Sequence, residues 1–180
     1  MIYERLQIVA GTFVAYTLIF NINQIFFGFT EVADGVHWIY LPSGLRLMFV
    51  LVFGGAGAVG VGLASMYLNS LFHFDGALIS VVGAGVISGL APYWARYVCH
   101  RKLNMDYKLK NLSVSKLFYV SGIFALLSAS LHQLFYGWAG HTVDWAVSMG
   151  AMFLGDLMGT VTMLYLAKWV ISKSHWKSIW

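Results

Sequence analysis

The sequence predicts an all-α polytopic membrane bundle of about six transmembrane helices, with both termini on the cytoplasmic side. Three observations carry this expectation. Of the 180 residues, 59% are hydrophobic and 10% are charged. A soluble domain carries roughly 25% charged residues, and a soluble fold of this size could not cover so much apolar surface. Most of the chain also lies in apolar runs near the roughly 20 residues needed to cross a hydrocarbon core of about 30 Å. Finally, the basic residues collect on one side of a six-span arrangement.

The first span is read over 6–28. Glu4 and Arg5 precede it, and no small-residue cleavage site with a polar mature domain follows. It therefore reads as a retained span and not as a removed signal peptide. The next stretch, Phe29 to Tyr40, carries Glu31, Asp34 and His37 and no Lys or Arg. Trp38 and Tyr40 stand where an interfacial aromatic belt is expected. The apolar stretch 41–72 is too long for one helix, and the glycines from Gly54 to Gly57 offer a turn. Glycine is the residue with least steric cost there, which gives two short spans, 41–54 and 57–72. Pro42 falls near the start of the second span, where its missing N–H is least costly.

The fourth span is read over 77–98, with Pro92 bending it near its inner end. A basic loop follows over 100–116, with Arg101, Lys102, Lys108, Lys110 and Lys116 against Asp106. The fifth and sixth spans are read over 117–138 and 145–171, joined by a loop with His141 and Asp144. The tail carries Lys173, His175 and Lys177.

Orientation follows from charge. Arg5, Arg96, Arg101, Lys102, Lys108, Lys110, Lys116, Lys168, Lys173 and Lys177 all fall on one side, and the opposite loops hold only Glu31, Asp34, Asp75 and Asp144. Basic residues stay in the cytoplasm, so the expected location is a bacterial inner membrane, crossed several times. The net charge of +4 then reflects topology and attraction to anionic lipid headgroups, with no need of nucleic acid as a partner. Cys99 is the only cysteine, which excludes an internal disulfide and a cysteine metal cluster. The glycines of the second and third spans have no counterpart in the fifth and sixth, so the internal repeat of many transporters is missing.

The candidate ligand or helix-pairing residues are the polar ones inside these spans. Arg46 is the only basic residue well inside the membrane, where a charge must face a partner or water. It either snorkels to the outer interface or meets an acid. Asp156 is the matching acid in the outer half, within Gly155-Asp156-Leu157-Met158-Gly159, and a salt bridge between the two is expected. Gly155 and Gly159 have the spacing that brings helices close, and Gly44, Gly85 and Gly89 are read as packing glycines as well. His132 lies near the outer end of the fifth span, one turn after Ser128 on the same face. It is either a helix-contact residue or a pH-responsive group. Asn21, Asn23, Gln24 and Asn69 lie near outer ends and either line an outward-facing pocket or satisfy loop backbone.

No catalytic array is expected. Gly54-Gly55-Ala56-Gly57 lacks the Lys-Ser/Thr and the preceding strand of a phosphate loop. Ser128, Ser130 and His132 lack an oxyanion hole and an orienting third group. The six histidines show no helical pair at ligand spacing, and Asp34 with His37 is a weak pair. Neither a metal nor another cofactor is expected, and the chain does not read as an enzyme. Met149, Met152, Met158 and Met163 read as packing.

The run Trp38-Ile39-Tyr40-Leu41-Pro42-Ser43-Gly44-Leu45-Arg46, the two glycine-rich spans after it, Asn69, and Gly155-Asp156 with Gly159 resemble the first class of bacterial membrane-associated sensor domains. The resemblance covers roughly Val36 to Ile171. It implies an integral membrane sensor of the kind found ahead of diguanylate cyclases, phosphodiesterases and histidine kinases. Such domains usually have about eight spans and feed a cytoplasmic enzyme. This chain has about six spans and no soluble output domain, so the resemblance implies a stand-alone short form that signals through a separate protein partner. Two other readings stay open: a small-molecule-binding subunit of an energy-coupling uptake transporter, and an accessory subunit of a larger membrane complex.

Overall fold

The computed structural model describes residues 2–74, 77–106, 113–141 and 144–173. Six helices account for most of them: α1 (Ile2–Phe27), α2 (Pro42–Phe53), α3 (Gly55–Phe72), α4 (Leu78–Lys102), α5 (Val114–Ala139) and α6 (Trp145–Lys173). All but α2 are long and apolar enough to cross a membrane. Residues 107–112 of the basic loop, with Lys108 and Lys110, lie outside the described residues, as do Asp75, His175 and Lys177.

Helix ends follow local chemistry. Pro42 opens α2 at its first positions, where no N–H is missed. A single residue, Gly54, separates α2 from α3 at φ 58°, a conformation that excludes most side chains. The turn is therefore tighter than the stretch from Gly54 to Gly57 implied. Ser113 caps α5 by accepting the Lys116 N–H, and Gly140 closes it in the left-handed conformation. His100, Arg101 and Lys102 occupy the last turn of α4, where they complement its carbonyl end.

Inter-helix contacts fix the directions. α3 and α4 run antiparallel, with Gly62 against Gly85 and Ala58 against Gly89. A Cβ at Gly89 would sit 2.6 Å from the Ala58 carbonyl, so these glycines do permit close approach. α1 runs parallel to α3, with Thr12 on Gly60 and Phe20 on Phe72. The pair Ser80–His141 and the pair Ser88–His132 make α4 and α5 antiparallel. The turn at Gly54 sits beside Arg96 near the end of α4. One end of the bundle thus carries Arg96, Arg101, Lys102 and Lys116; the other carries Glu31, Asp34 and Asp144. They are called here the basic end and the acidic end.

The expected outer loop is not a loop. Residues after α1 form a short 3-10 turn, Gly28–Thr30, and a hairpin of β1 (Glu31–Ala33) and β2 (Val36–His37). The hairpin lies in the bundle as a cap. Its Val36 and His37 are 1% exposed. The chain after it bends at Trp38 and Ile39 and runs along α6, and the Tyr40 N–H donates to the Gly155 carbonyl at 3.4 Å. Gly155 is ten residues into α6, about 15 Å from its start.

This descent revises the second span. The helix read over 41–54 has 12 residues, about 18 Å, and cannot cross alone. The irregular backbone of residues 38–41 leads into it. Such irregular backbone is tolerated inside a membrane only when its polar groups are satisfied by protein. Here the Trp38 N–H donates to the Thr30 carbonyl (3.1 Å) and the Leu41 N–H to Asn23 Oδ1 (2.9 Å).

Three apolar clusters surround the centre. Val36, Phe74, Val81, Ala129, Tyr136 and Met152 pack at the acidic end. Leu47, Leu51, Ala91, Ala95, Val120 and Phe124 fill the basic half. Tyr16, Phe20, Leu45, Val61 and Leu68 join α1, α2 and α3. A polar layer is enclosed between the first two.

Candidate functional site

The polar layer is built on one close contact, that of α2 with α6. Gly44 faces Gly159 and Met163, where a side chain would collide with both. Gly155 faces the His37 carbonyl and Gly159 faces the Tyr40 carbonyl, each too near to admit a Cβ. The sequence implied that these two glycines bring helices together. Gly155 instead seats the backbone of His37 and Trp38 on α6, and Gly159 takes both the Tyr40 carbonyl and α2, at Ser43 and Gly44. The Ser43 hydroxyl lies 2.7 Å from the Tyr40 carbonyl and 2.9 Å from the Asp156 carbonyl, and Thr160 Oγ1 donates to that same Asp156 carbonyl at 2.6 Å.

This seating brings the expected charges together. Arg46 Nη2 donates to Asp156 Oδ1 at 2.7 Å, with side chains 3% and 2% exposed. Arg46 does not snorkel. Its guanidinium lies over Tyr40 (5.2 Å) and Phe124 (5.6 Å), a cation–π setting that suits a desolvated arginine. Arg46 Nε has no hydrogen-bond partner among the described residues.

Next to the pair a hydrogen-bonded row crosses three helices. Asn69 Nδ2 donates to Ser65 Oγ (3.4 Å), and Ser65 Oγ donates to Ser88 Oγ (2.9 Å). Ser88 Oγ lies 3.3 Å from His132 Nε2, and His132 Nδ1 lies 2.8 Å from the Ser128 carbonyl. A carbonyl only accepts, so Nδ1 carries the proton and Nε2 accepts from Ser88. The row and Arg46 line a cavity of about 20 Å³ together with Gly35, Tyr40, His73, Tyr136 and Met152. That is room for about one water molecule.

Arg46, Asp156, His132 and Asn69 are thus brought to one site, with Pro42, Gly44, Gly155 and Gly159 shaping it. Gly85 and Gly89 serve the α3–α4 contact instead. Asn21 and Gln24 do not join the site. Asn21 is exposed and donates to the Thr17 carbonyl of its own helix. Gln24 lies beside Gly28, away from the cavity. The asparagine that counts is Asn23, fully buried, which holds the Leu41 N–H. Tyr40 was expected at the interface, but its hydroxyl meets that of Tyr16 at 3.0 Å inside the bundle; Trp38, 40% exposed, does face outward. The roles of Tyr40, Ser65, Ser88 and Tyr136 had no sequence signal beyond being single polar groups in apolar runs.

Above the cavity sits a second cluster that sequence spacing did not show. Glu31 Oε1 lies 3.7 Å from His37 Nε2 and 3.4 Å from His73 Nδ1. Glu31 Oε1 also accepts the Gly35 N–H at 2.9 Å. Burial holds both imidazoles below the ordinary histidine value of 6.5, against the charge of Glu31 at both and of Asp34 at His73, and His73 adds to the lowering at His37. Among the described residues no group of three His, Cys, Asp or Glu is placed to hold a metal ion.

The fold and this buried site define a multi-pass α-helical membrane protein with a broken second helix and an intramembrane charge pair. No family model, curated protein or solved structure matches the chain.

Proposed function

We propose that this chain is a non-enzymatic sensory or regulatory module of a bacterial inner membrane, with its basic end and both termini in the cytoplasm. In this reading the cap and α2 form one mobile unit, and a ligand or partner at the acidic side biases whether that unit stays seated on α6. The response passes through a separate protein, in line with the resemblance to membrane-associated sensor domains.

The observation that carries the proposal is the buried Arg46–Asp156 pair at the break in the second span. The two motifs behind the resemblance, Pro42 with Gly44 and Gly155-Asp156 with Gly159, meet there. A buried pair contributes little net stability relative to apolar packing, but breaking it by removing one partner is costly. That is the behaviour of a two-position latch: firm when made, and released as a unit. Ionisable groups within a membrane bundle are functional sites by default. The cavity of about 20 Å³ is far below the roughly 300 Å³ or more of a small-molecule site, which argues against a vitamin held in this conformation.

The test is isolation of the tagged chain from native membranes in lipid nanodiscs, followed by mass spectrometry. The proposal expects a signalling enzyme without a membrane sensor of its own to accompany the wild type, and Arg46→Gln to change its recovery several-fold. A monomer without such an enzyme refutes it. An accompanying ATPase and bound vitamin replace it with the uptake reading.

A further inference from the structure

Glu31 on the cap meets His73 at the end of α3 and, within the cap, His37, and this cluster has the form of a pH-dependent latch. We infer that Glu31, His37 and His73 form a proton-operated clasp on the acidic face, which releases the hairpin cap when the histidines are protonated.

The geometry is specific. Glu31 stands on β1 and is 28% exposed, so water at the acidic end reaches it. His73 ends α3, with its side chain 4% exposed, and lines the polar cavity. His37 lies on β2 with a side chain 0% exposed, stacked on Tyr40 at 5.3 Å and 14°. Neither His37 nitrogen has a hydrogen-bond partner among the described residues. A buried imidazole left in this state calls for an explanation beyond packing. Neutral, it fits an apolar slot; charged, it has one distant carboxylate and no water.

The surrounding charges set the sign. The hairpin presents Glu31 and Asp34; α3 presents His73; α5 presents Tyr136 and, deeper, His132; the turn after α5 presents His141, bonded to Ser80 and 4.8 Å from the Phe74 ring. The descending chain presents Tyr40, α2 presents Arg46, and α6 presents Gly155 with Asp156 below it. α1 adds the edge of Phe20 and, bonded to Tyr40, the hydroxyl of Tyr16. Glu31 faces both histidines and Asp34 adds its charge at His73, but burial outweighs both acids, and a second proton enters beside a cavity already lined by Arg46. Closed, the clasp binds protons poorly; open, both histidines return to water and bind them normally. Acidification therefore favours the open form. Each unit by which closure depresses one histidine is about a tenfold change in the open-to-closed ratio at low pH.

The inference rests on the proposed regulatory role only for what release does downstream. Its test uses the full chain in liposomes, with spin labels at Val32→Cys on the cap and Leu78→Cys on α4 in a Cys99→Ala background. Pulsed electron resonance reads the distance distribution from pH 8 to pH 5. A second, longer distance gaining at least several-fold below about pH 6.5 supports the clasp, provided His37→Gln/His73→Gln abolishes the gain. An unchanged wild-type distribution overturns it without recourse to any variant. So does an unchanged pH response in the double variant or, should that variant misfold, in His73→Gln alone. Partner recovery measured alongside separates the claims: a cap that opens with acid while recovery ignores both pH and Arg46→Gln sustains the clasp and refutes the regulatory role. A pH-silent cap with Arg46-dependent recovery does the reverse.

Discussion

Replacing one partner of the Arg46–Asp156 pair is the most informative perturbation of the bundle. The nitrogen and oxygen lie 2.7 Å apart with both side chains almost fully buried. At an effective dielectric of about 20, unit charges at that distance attract by about 6 kcal/mol, an upper bound because both charges are delocalised. Desolvation offsets most of this, so the net value of the pair is small. The loss on orphaning one member is not small, because the remaining charge has no water. Asp156→Asn and Arg46→Gln should each cost about 3–5 kcal/mol. The double variant should cost clearly less than their sum, with a coupling of about 2 kcal/mol or more. Arg46→Met/Asp156→Leu, which fills the same space without charge, should return close to wild-type stability. The assay is reversible unfolding in mixed micelles, monitored by the intrinsic fluorescence of the tryptophans. Additive single effects would refute the reasoning, since they would mean that the two side chains do not interact.

Three further outcomes follow from the packing. Gly159→Ala places a methyl group on the Tyr40 carbonyl and should cost about 2 kcal/mol or more. Gly122→Ala meets nothing within 4 Å and should stay within about 0.5 kcal/mol in the same unfolding assay. Asn23→Ala leaves the Leu41 N–H without its acceptor in a membrane bundle and should cost about 1–3 kcal/mol, with faster amide exchange at Leu41. Stability should also depend on pH with a definite sign. His37 and His73 are held below 6.5 chiefly by burial, so the unfolded chain binds protons more readily. Their contribution is complete above about pH 6.5 and declines as pH falls below it. A thermal midpoint that stays level or rises on acidification from pH 7.5 to pH 5 would contradict it.

The helices were legible because lipid demands long apolar runs, and the polar residues inside them were conspicuous for the same reason. Arg46 and Asp156 stood out as the only opposite charges at similar depth, and their positions relative to the loops were enough to pair them. The cap was not legible. Phe29 to Tyr40 has the length and polarity of a loop, and nothing local says that it turns inward. What draws it in is tertiary: the bare backbone at Gly155 and Gly159, which takes the chain before α2 as well as the helix contact that the spacing implied. The same descent explains the misplacement of Tyr40 and the shortness of α2. Asn21 and Asn23 differ only in helical phase, and a helix with so little contrast between its faces gives no phase to read. The clasp was missed because Glu31 and His73 are far apart in sequence and meet only through the cap.

The buried pair seats α2 and its cap on α6. Solid-state magnetic resonance on the chain in lipid bilayers, with ¹⁵N in the arginine guanidinium and ¹³C in the aspartate carboxyl, measures that contact directly. A charge-assisted bond predicts strong dipolar coupling at about 3.5 Å between the Arg46 nitrogen and the Asp156 carboxyl carbon, lost in Asp156→Asn. No coupling assignable to Asp156 in the wild type would mean that the pair does not exist in the membrane, and that α2 is not latched as described.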